Sequence, residues 1–316
     1  MTVVKTTSAP LVDTNTHIAV PASVANLGPG FDTLAVAVQL YLRVTIVEVK
    51  ADGLGRVAAL RSYPAMPVEN GIERAYRSMG DRAGRPLPSV FVEVDSEIPI
   101  GSGLGSSAAA TIAGLQLFDR CVAPLPGEVM LEAACALEGH PDNAAAALFG
   151  GLASAMQHED GGVSVVGFDW PAGIRFVIAT PERALRTAAA RQVLPATLSR
   201  ADAVFNLQRV ARLLHAVTSG HTGSMREALK DRWHQPARCA LVPELGPALA
   251  LEDPNLLGVC LSGAGPSIVA LASAGFDPIS KKLEGLYRHS GCGVTVRNVG
   301  AEPRRAATPE LVSKGR

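Results

Sequence analysis

The segment Ile98-Pro99-Ile100-Gly101-Ser102-Gly103-Leu104-Gly105-Ser106-Ser107-Ala108 constrains this chain more than any other. Three glycines at alternate positions remove side chains where something must approach the backbone closely. Directly after them, Ala108, Ile112, Leu115 and Phe118 recur at steps of four, three and three, one apolar helical stripe. Before them, Val90, Val92 and Val94 alternate as a strand does. A glycine turn between strand and helix, with serines opening the helix, offers free N–H groups and the positive end of a helix dipole to an anion. Serine hydroxyls there also reach a magnesium ion that bridges phosphates. A plain turn with a serine cap needs only one glycine. Three glycines with two serines favour a nucleotide-phosphate cradle. It is not a Walker A loop, because the chain has no Gly-Lys pair. Nor is it a dinucleotide fingerprint, because Gly101, Gly103 and Gly105 are spaced by two throughout.

The rest of the chain alternates strands and helices, which predicts an α/β or α+β protein. Leu40, Leu42, Val44 and Ile46 share one face of a half-buried strand over 40–49. A helix is expected from Gly71 to Met79, closed by Gly80, and an Ala-rich one from Gly127 to Glu138, ending at Gly139-His140-Pro141. A boundary falls at 169–173, before a strand over 174–180. Helices follow over 201–230, and strands near 258–261 and 268–271 flank another glycine turn. Residues 1–15 are aperiodic and those after Val299 turn polar, so both ends read as tails.

Composition narrows the partners. Lys+Arg 29 against Asp+Glu 29 gives no net charge, which argues against nucleic acid or an anionic membrane but not against a local anion site. Five cysteines without a C-x-x-C pair suit neither a zinc ribbon nor a thioredoxin-type site, and read as reduced thiols of a cytoplasmic protein. Neither a signal peptide nor a membrane-spanning run is expected. A chain of 316 residues suits two domains or one large one.

Pro99-x-x-x-Gly103-Leu104-Gly105-Ser106-Ser107-Ala108 resembles the ATP-binding motif of the GHMP small-molecule kinases. Two further segments match in order. Residues 21–32, PASVANLGPGFD, are similar to the N-terminal motif of the members that phosphorylate homoserine, and residues 261–267, LSGAGPS, to the third glycine motif. The resemblance spans about Ile18 to Val299. It implies an α+β fold of two domains: an N-terminal α/β domain over 16–170 with a left-handed crossover, and a ferredoxin-like domain over 171–300. Residues 1–15 and 301–316 are then flexible tails.

The resemblance also implies ATP as co-substrate, with Mg2+. Pro99, Gly101, Ser102, Gly103, Leu104, Gly105, Ser106 and Ser107 would hold the triphosphate, and Asn70 would stand beside the nucleobase or cap its helix. Glu128, Glu132, Glu138 and Asp142 are the candidate metal carboxylates, and spacing alone does not choose among them. The resemblance chooses Glu132, eleven residues before Asn143, with Ser107 sharing the ion. Asn143 lies seven residues before Gly150, where other members carry a catalytic aspartate. An amide cannot take a proton as a carboxylate does. Asn143 is therefore expected to position the acceptor without a dedicated base, although a slip of one residue would make Asp142 that base. His140 reads as part of a structural turn.

For an amino-acid acceptor, Asp32 suits the ammonium and Asn26 can bridge by hydrogen bonding. Thr187, Arg191 and Arg238 match the family's carboxylate side, where a planar guanidinium binds two oxygens at once. Arg191 joins Asn143, Glu132 and Ser107 as the expected catalytic set, while Arg183 and Arg186 read as solvated. Homoserine is the acceptor this arrangement fits best, which would place the chain in threonine synthesis. Another alcohol (threonine, pantoate or a mevalonate-pathway compound) and a catalytically silent sensor are the rival readings, with a homodimer left open.

Overall fold

Alternating Val, Leu and Ile draw one long strand through the middle of the first of two sheets. The computed structural model describes residues 16–65, 70–288, 290–305 and 311–312. In chain order these form β1 (His17–Ala25), β2 (Leu34–Lys50), β3 (Val57–Tyr63), α1 (Gly71–Ala83), β4 (Ser89–Ser96), α2 (Ser106–Cys121), α3 (Gly127–Glu138) and α4 (Asp142–Phe149). Then come β5 (Leu152–Gln157), β6 (Val163–Phe168), β7 (Arg175–Pro181), α5 (Thr187–Gln192), α6 (Arg200–Ser219), α7 (Met225–Ala228), α8 (His234–Arg238) and α9 (Leu245–Leu249). The chain continues through β8 (Leu256–Leu261), β9 (Ile268–Ala272), α10 (Phe276–Tyr287) and β10 (Val294–Val299) to a short β11 (Leu311–Val312).

The first sheet runs β11-β6-β5-β2-β4-β3, with β1 paired antiparallel to β2. β3 and β4 are parallel and joined through α1, a βαβ unit. Small side chains let helices lie close on this sheet, and Ala144, Ala145, Ala146 and Ala147 of α4 are all buried. The second sheet runs β10-β7-β9-β8, all antiparallel. Within that half the order is fourth, first, third, second, and helices follow its first and third strands. That is the βαββαβ arrangement of a ferredoxin-like layer. The α+β class and two-sheet architecture agree with the expectation. Among the described residues no helix is long and apolar enough to cross a membrane.

Three details differ from the sequence reading. Helix α1 does not stop at Gly80 but runs to Ala83, where Gly84 closes it at φ 60°. Gly80 is instead a helical residue without a side chain because Leu87 packs into its place, 2.6 Å from where a Cβ would stand. Residues 300–305, expected to begin a tail, are tied across the first sheet. Gln39 N donates to Gly300 O, Glu302 N to Ala37 O, Gly151 N to Glu302 O and Arg305 N to Phe149 O. The Tyr41 hydroxyl adds a 2.6 Å bond to Glu302. Gly150 and Gly151 accommodate this strap, since a Cβ on Gly150 would stand 2.2 Å from Pro303 O. The expected tail over 1–15 lies outside the described residues, as do 306–310 and 313–316.

Candidate active site

The glycine loop turns its carbonyls inward. Gly101 O accepts from Leu185 N, Ser102 O from Ser267 N, and Leu104 O from Ser23 N. Gly103 O accepts from the Ser262 hydroxyl at 2.7 Å. A trans peptide points its N–H opposite to its C=O. Four tethered carbonyls therefore leave the following N–H groups facing away from those partners, next to the first turn of α2, whose own N–H groups have no helix partner. The loop is pressed against the third glycine motif so tightly that a Cβ on Gly103 would stand 2.3 Å from Ser262 O. Ser102 and Leu104 are buried, and the Ser102 hydroxyl donates to Pro99 O. Leu104 and Pro99 shape the loop, while Gly101, Ser102, Gly103, Gly105, Ser106 and Ser107 line the cleft.

Two adjoining cavities share Gly101, Ser106 and Ser107. The larger, about 450 Å³, is walled by Ile72, Val94, Ile98, Ile100 and Ala110, a size and character suited to a nucleoside. Asn70 stands at its edge as the N-cap of α1. Its Oδ1 accepts from Ile72 N and Glu73 N, and its Nδ2 donates to Val57 O. The smaller cavity, about 130 Å³, is polar and gathers Asn26, Asp32, Asn143, Thr187, Arg191 and Arg238.

The candidate metal carboxylates stand at different distances from the cleft. Glu132 does not line either cavity. Glu138 does, at the last turn of α3, where its Oε1 accepts from Ser107 at 3.0 Å and Thr111 at 2.7 Å. Six residues separate the two glutamates, about 1.7 helical turns, so they project from different sides of α3. Gly139, at φ 82°, ends the helix directly after Glu138 and swings the chain back towards Asn143. Two hydroxyls and a carboxylate are the hard oxygen donors that magnesium prefers, so the residues present fit that ion.

Around Asn143 the hydrogen bonds fix its orientation. Its Oδ1 accepts from the buried Ser23 hydroxyl at 2.7 Å, which turns Nδ2 away from that contact. Asp142 is 1% exposed, and its Oδ1 takes both Asn143 N and the His140 ring. His140 lies in the cleft with Asp142 and Asp32, their ligating atoms all within 4.8 Å of one another. Burial disfavours the charged imidazole, but the Asp142 carboxylate outweighs it and raises the His140 pKa above its usual value.

In the smaller cavity three motifs converge on one oxygen. Gly263 O receives Asn26 Nδ2 and Arg238 Nη1, both at 2.9 Å. Asn26, Leu27 and Asp32 all sit at positive φ, a strained turn braced by Asp32 N on Asn26 Oδ1. Asp32 and Arg191 form a two-pronged pair. Arg238 is 2% exposed, yet among the described residues its hydrogen-bond partners are all neutral: Ala190 O, Gly263 O and the His234 ring. Burial, then the like charge of Arg191, lowers its pKa to about 10, so it stays charged at neutral pH. Arg183, expected to be solvated, instead pairs with the buried Glu244.

Sequence reasoning named Glu138 among four candidate carboxylates but preferred Glu132, and it gave no role to Ser23, Thr111 or Phe31. The Phe31 ring lies 5.4 Å from the Arg238 guanidinium and 5.5 Å from that of Arg191. A glutamate next to the glycine that closes α3 was the available signal for Glu138. The other three act through tertiary contacts that no local pattern carries.

Comparison with known proteins extends this geometry. The pattern of the GHMP kinases N terminal domain matches residues 70–151. The homoserine kinase of Solibacter usitatus is 39% identical over 282 residues, 87% of this chain and 91% of its own. That of Deinococcus radiodurans is 41% identical over 254 residues, 79% of this chain and 81% of its own. The crystal structure of homoserine kinase from Cytophaga hutchinsonii superposes with a TM-score of 0.79 at 25% identity, covering 92% of this chain and 96% of that one.

Proposed function

The chain belongs to the homoserine kinases of the GHMP kinase family, and we propose that its cleft carries their reaction on the residues just described. The enzyme transfers the γ-phosphoryl group of ATP to the side-chain hydroxyl of L-homoserine, giving O-phospho-L-homoserine for threonine synthesis. The observation that carries the acceptor is Arg238. A buried cation whose hydrogen-bond partners among the described residues are all neutral is costly unless a ligand supplies the anion. The acceptor's carboxylate fills that role, with Arg191 beside it. Its ammonium is placed on Asp32, and Thr187 and Asn26 close the pocket.

The apolar cavity takes the nucleoside, and the loop N–H groups with the first turn of α2 take the phosphates. Ser107 and Glu138, with Thr111 behind them, would hold Mg2+, which supplies charge compensation on the phosphates when bound. Asn143, fixed by Ser23, offers its Nδ2 hydrogens to the acceptor oxygen and so sets the line of attack. An amide does not take up a proton as a carboxylate does, and Asp142 is engaged by His140 and Asn143 N. The hydroxyl therefore loses its proton without a dedicated side-chain base. This reading keeps residues 16–170 and 171–300 as the two domains of a cytoplasmic enzyme, with the acceptor held where they meet.

Measured ADP release with homoserine, threonine, pantoate and mevalonate tests the acceptor, with the product identified by phosphorus NMR. Homoserine is expected to give the highest kcat/KM. Equal or better turnover of another alcohol overturns this choice. Tight ATP binding with no turnover of any of the four would show a sensor.

A further inference from the structure

The buried guanidinium of Arg238 needs something to aim it. Its Nε donates to Ala190 O at 3.2 Å and its Nη1 to Gly263 O at 2.9 Å. The third partner is the ring of His234, four residues earlier on α8, with Nδ1 3.1 Å from Arg238 Nη1. The other ring nitrogen, Nε2, is 2.7 Å from Gly28 O. A carbonyl only accepts, so Nε2 carries the proton and donates. An arginine N–H only donates, so Nδ1 is the bare nitrogen and accepts. The two contacts together specify one tautomer of a neutral ring.

We infer that His234, held in the Nε2–H tautomer by Gly28 O, is the positioning residue that fixes the Arg238 guanidinium for the acceptor's carboxylate. The inference rests on the proposed binding of that carboxylate by Arg238.

The choice of a neutral acceptor follows from what Arg238 must do. A carboxylate at the place of His234 would neutralise the guanidinium and compete with the ligand. A protonated imidazole would repel it and lose the hydrogen bond. A neutral Nδ1 orients the guanidinium while leaving its charge unspent. The surroundings keep the ring in place and uncharged. His234 is 0% exposed, and burial pushes its pKa down to about 4 against the opposing pull of Asp231. The Phe31 ring covers it at 5.4 Å between centroids, and the same ring faces the Arg238 guanidinium. Asp231 accepts from Trp233 N and Gln235 N, which anchors the start of α8 and with it the four-residue spacing of His234 to Arg238.

Steady-state kinetics of His234→Leu, His234→Asn, Arg238→Ala and the Leu/Ala double variant test the idea. His234→Leu is expected to raise KM for homoserine by ~10-fold or more, the scale of a lost hydrogen bond to a charged group, with KM for ATP within about twofold. His234→Asn puts an amide oxygen near the place of Nδ1 and is expected to recover most of that loss. On the Arg238→Ala background, His234→Leu should add less than about twofold, because the side chain it positions is gone. If Arg238→Ala leaves KM for homoserine unchanged, the carboxylate reading itself fails. If Arg238→Ala raises it while His234→Leu does not, or if the two effects simply multiply, the positioning role fails and the carboxylate reading stands. Should His234→Leu not fold, nitrogen NMR of the histidine-labelled wild-type enzyme decides. An Nε2–H tautomer at pH 6 supports the role; an Nδ1–H tautomer or an imidazolium at that pH overturns it.

Discussion

Arg191 clasps Asp32 with both terminal nitrogens, Nη2 on Oδ1 at 2.8 Å and Nη1 on Oδ2 at 2.9 Å, inside the pocket proposed for the acceptor. Each partner is the complement of one end of a zwitterion, so in the proposed site homoserine would trade this internal pair for two pairs of its own. Both side chains are about a third exposed, 33% and 37%, and so solvent screens the pair and opening it costs little.

That trade predicts selectivity for acceptors that carry both charges. With 4-hydroxybutanoate, which lacks the ammonium, Asp32 regains no partner once Arg191 turns to the carboxylate. Its kcat/KM is expected to fall by ~10-fold or more relative to homoserine, the scale of one lost charged hydrogen bond. Arg191→Lys should raise KM for homoserine similarly while sparing ATP, because an ammonium lacks the planar fork. Steady-state kinetics with both acceptors is the check. Equal efficiency with the two acceptors would show that the pair stays closed.

Glu138 and Glu132 offer a sharp contrast on one helix. Glu138→Ala is expected to lower kcat by roughly 10²-fold or more, as removal of a transition-state charge partner does. It should also weaken the magnesium dependence of ATP binding. Glu132→Ala, away from both cavities, should stay within about twofold of wild type in kcat, since it touches none of the reacting groups. Kinetics across a magnesium titration measures both. A crippled Glu132→Ala beside an active Glu138→Ala would return the metal to Glu132.

The contrast also marks what the sequence could carry. The glycine motifs were legible because positive φ and close backbone approach restrict the residue type itself, as at Gly103 and Gly105. The hydrophobic periods were legible for the same local reason. The choice of Glu138 over Glu132 was not, because its place in the cleft depends on where α3 ends and how Gly139 redirects the chain. The strap over 300–305 was invisible because backbone hydrogen bonds need no particular side chains. Arg183 looked like any surface arginine until the fold brought Glu244 against it.

Gly103 and Gly139 separate backbone strain from lack of space. Both have φ near 80°, but a Cβ at Gly103 would meet Ser262 O at 2.3 Å and Gly265 O at 2.7 Å. At Gly139 nothing lies within 4 Å. Gly139→Ala is expected to cost about 1 kcal/mol, the penalty of the left-handed conformation alone. Gly103→Ala should cost on the order of 3 kcal/mol, because two backbone segments must part, and should weaken ATP binding as well. Urea denaturation of both variants measures this, and equal losses would mean that the loop and the third motif are not in such close contact.

Two histidines near the acceptor pocket should give stability opposite pH dependences in separate windows. His140 is raised above 6.5: burial opposes the charge, but Asp142 and then Asp32 favour it, with Arg191 opposing. The folded chain therefore holds that proton more tightly than the unfolded one. Its contribution is complete below pH 6.5 and is lost as pH rises through the folded value. His234 is lowered from 6.5 to about 4 by burial, with Asp231 opposing, Arg238 adding to the fall and Asp32 opposing. Between those values the unfolded chain binds a proton that the fold refuses, so stability declines as pH falls from 6.5 towards 4. His140→Gln should therefore remove the decline seen above pH 6.5, and His234→Asn should flatten the decline below it. Denaturation at a series of pH values, each variant compared with wild type, cancels the carboxylates they share. A His234→Asn profile parallel to wild type in acid would mean that the ring is already protonated in the fold, and a His140→Gln profile parallel above 6.5 would mean that Asp142 does not hold the His140 proton.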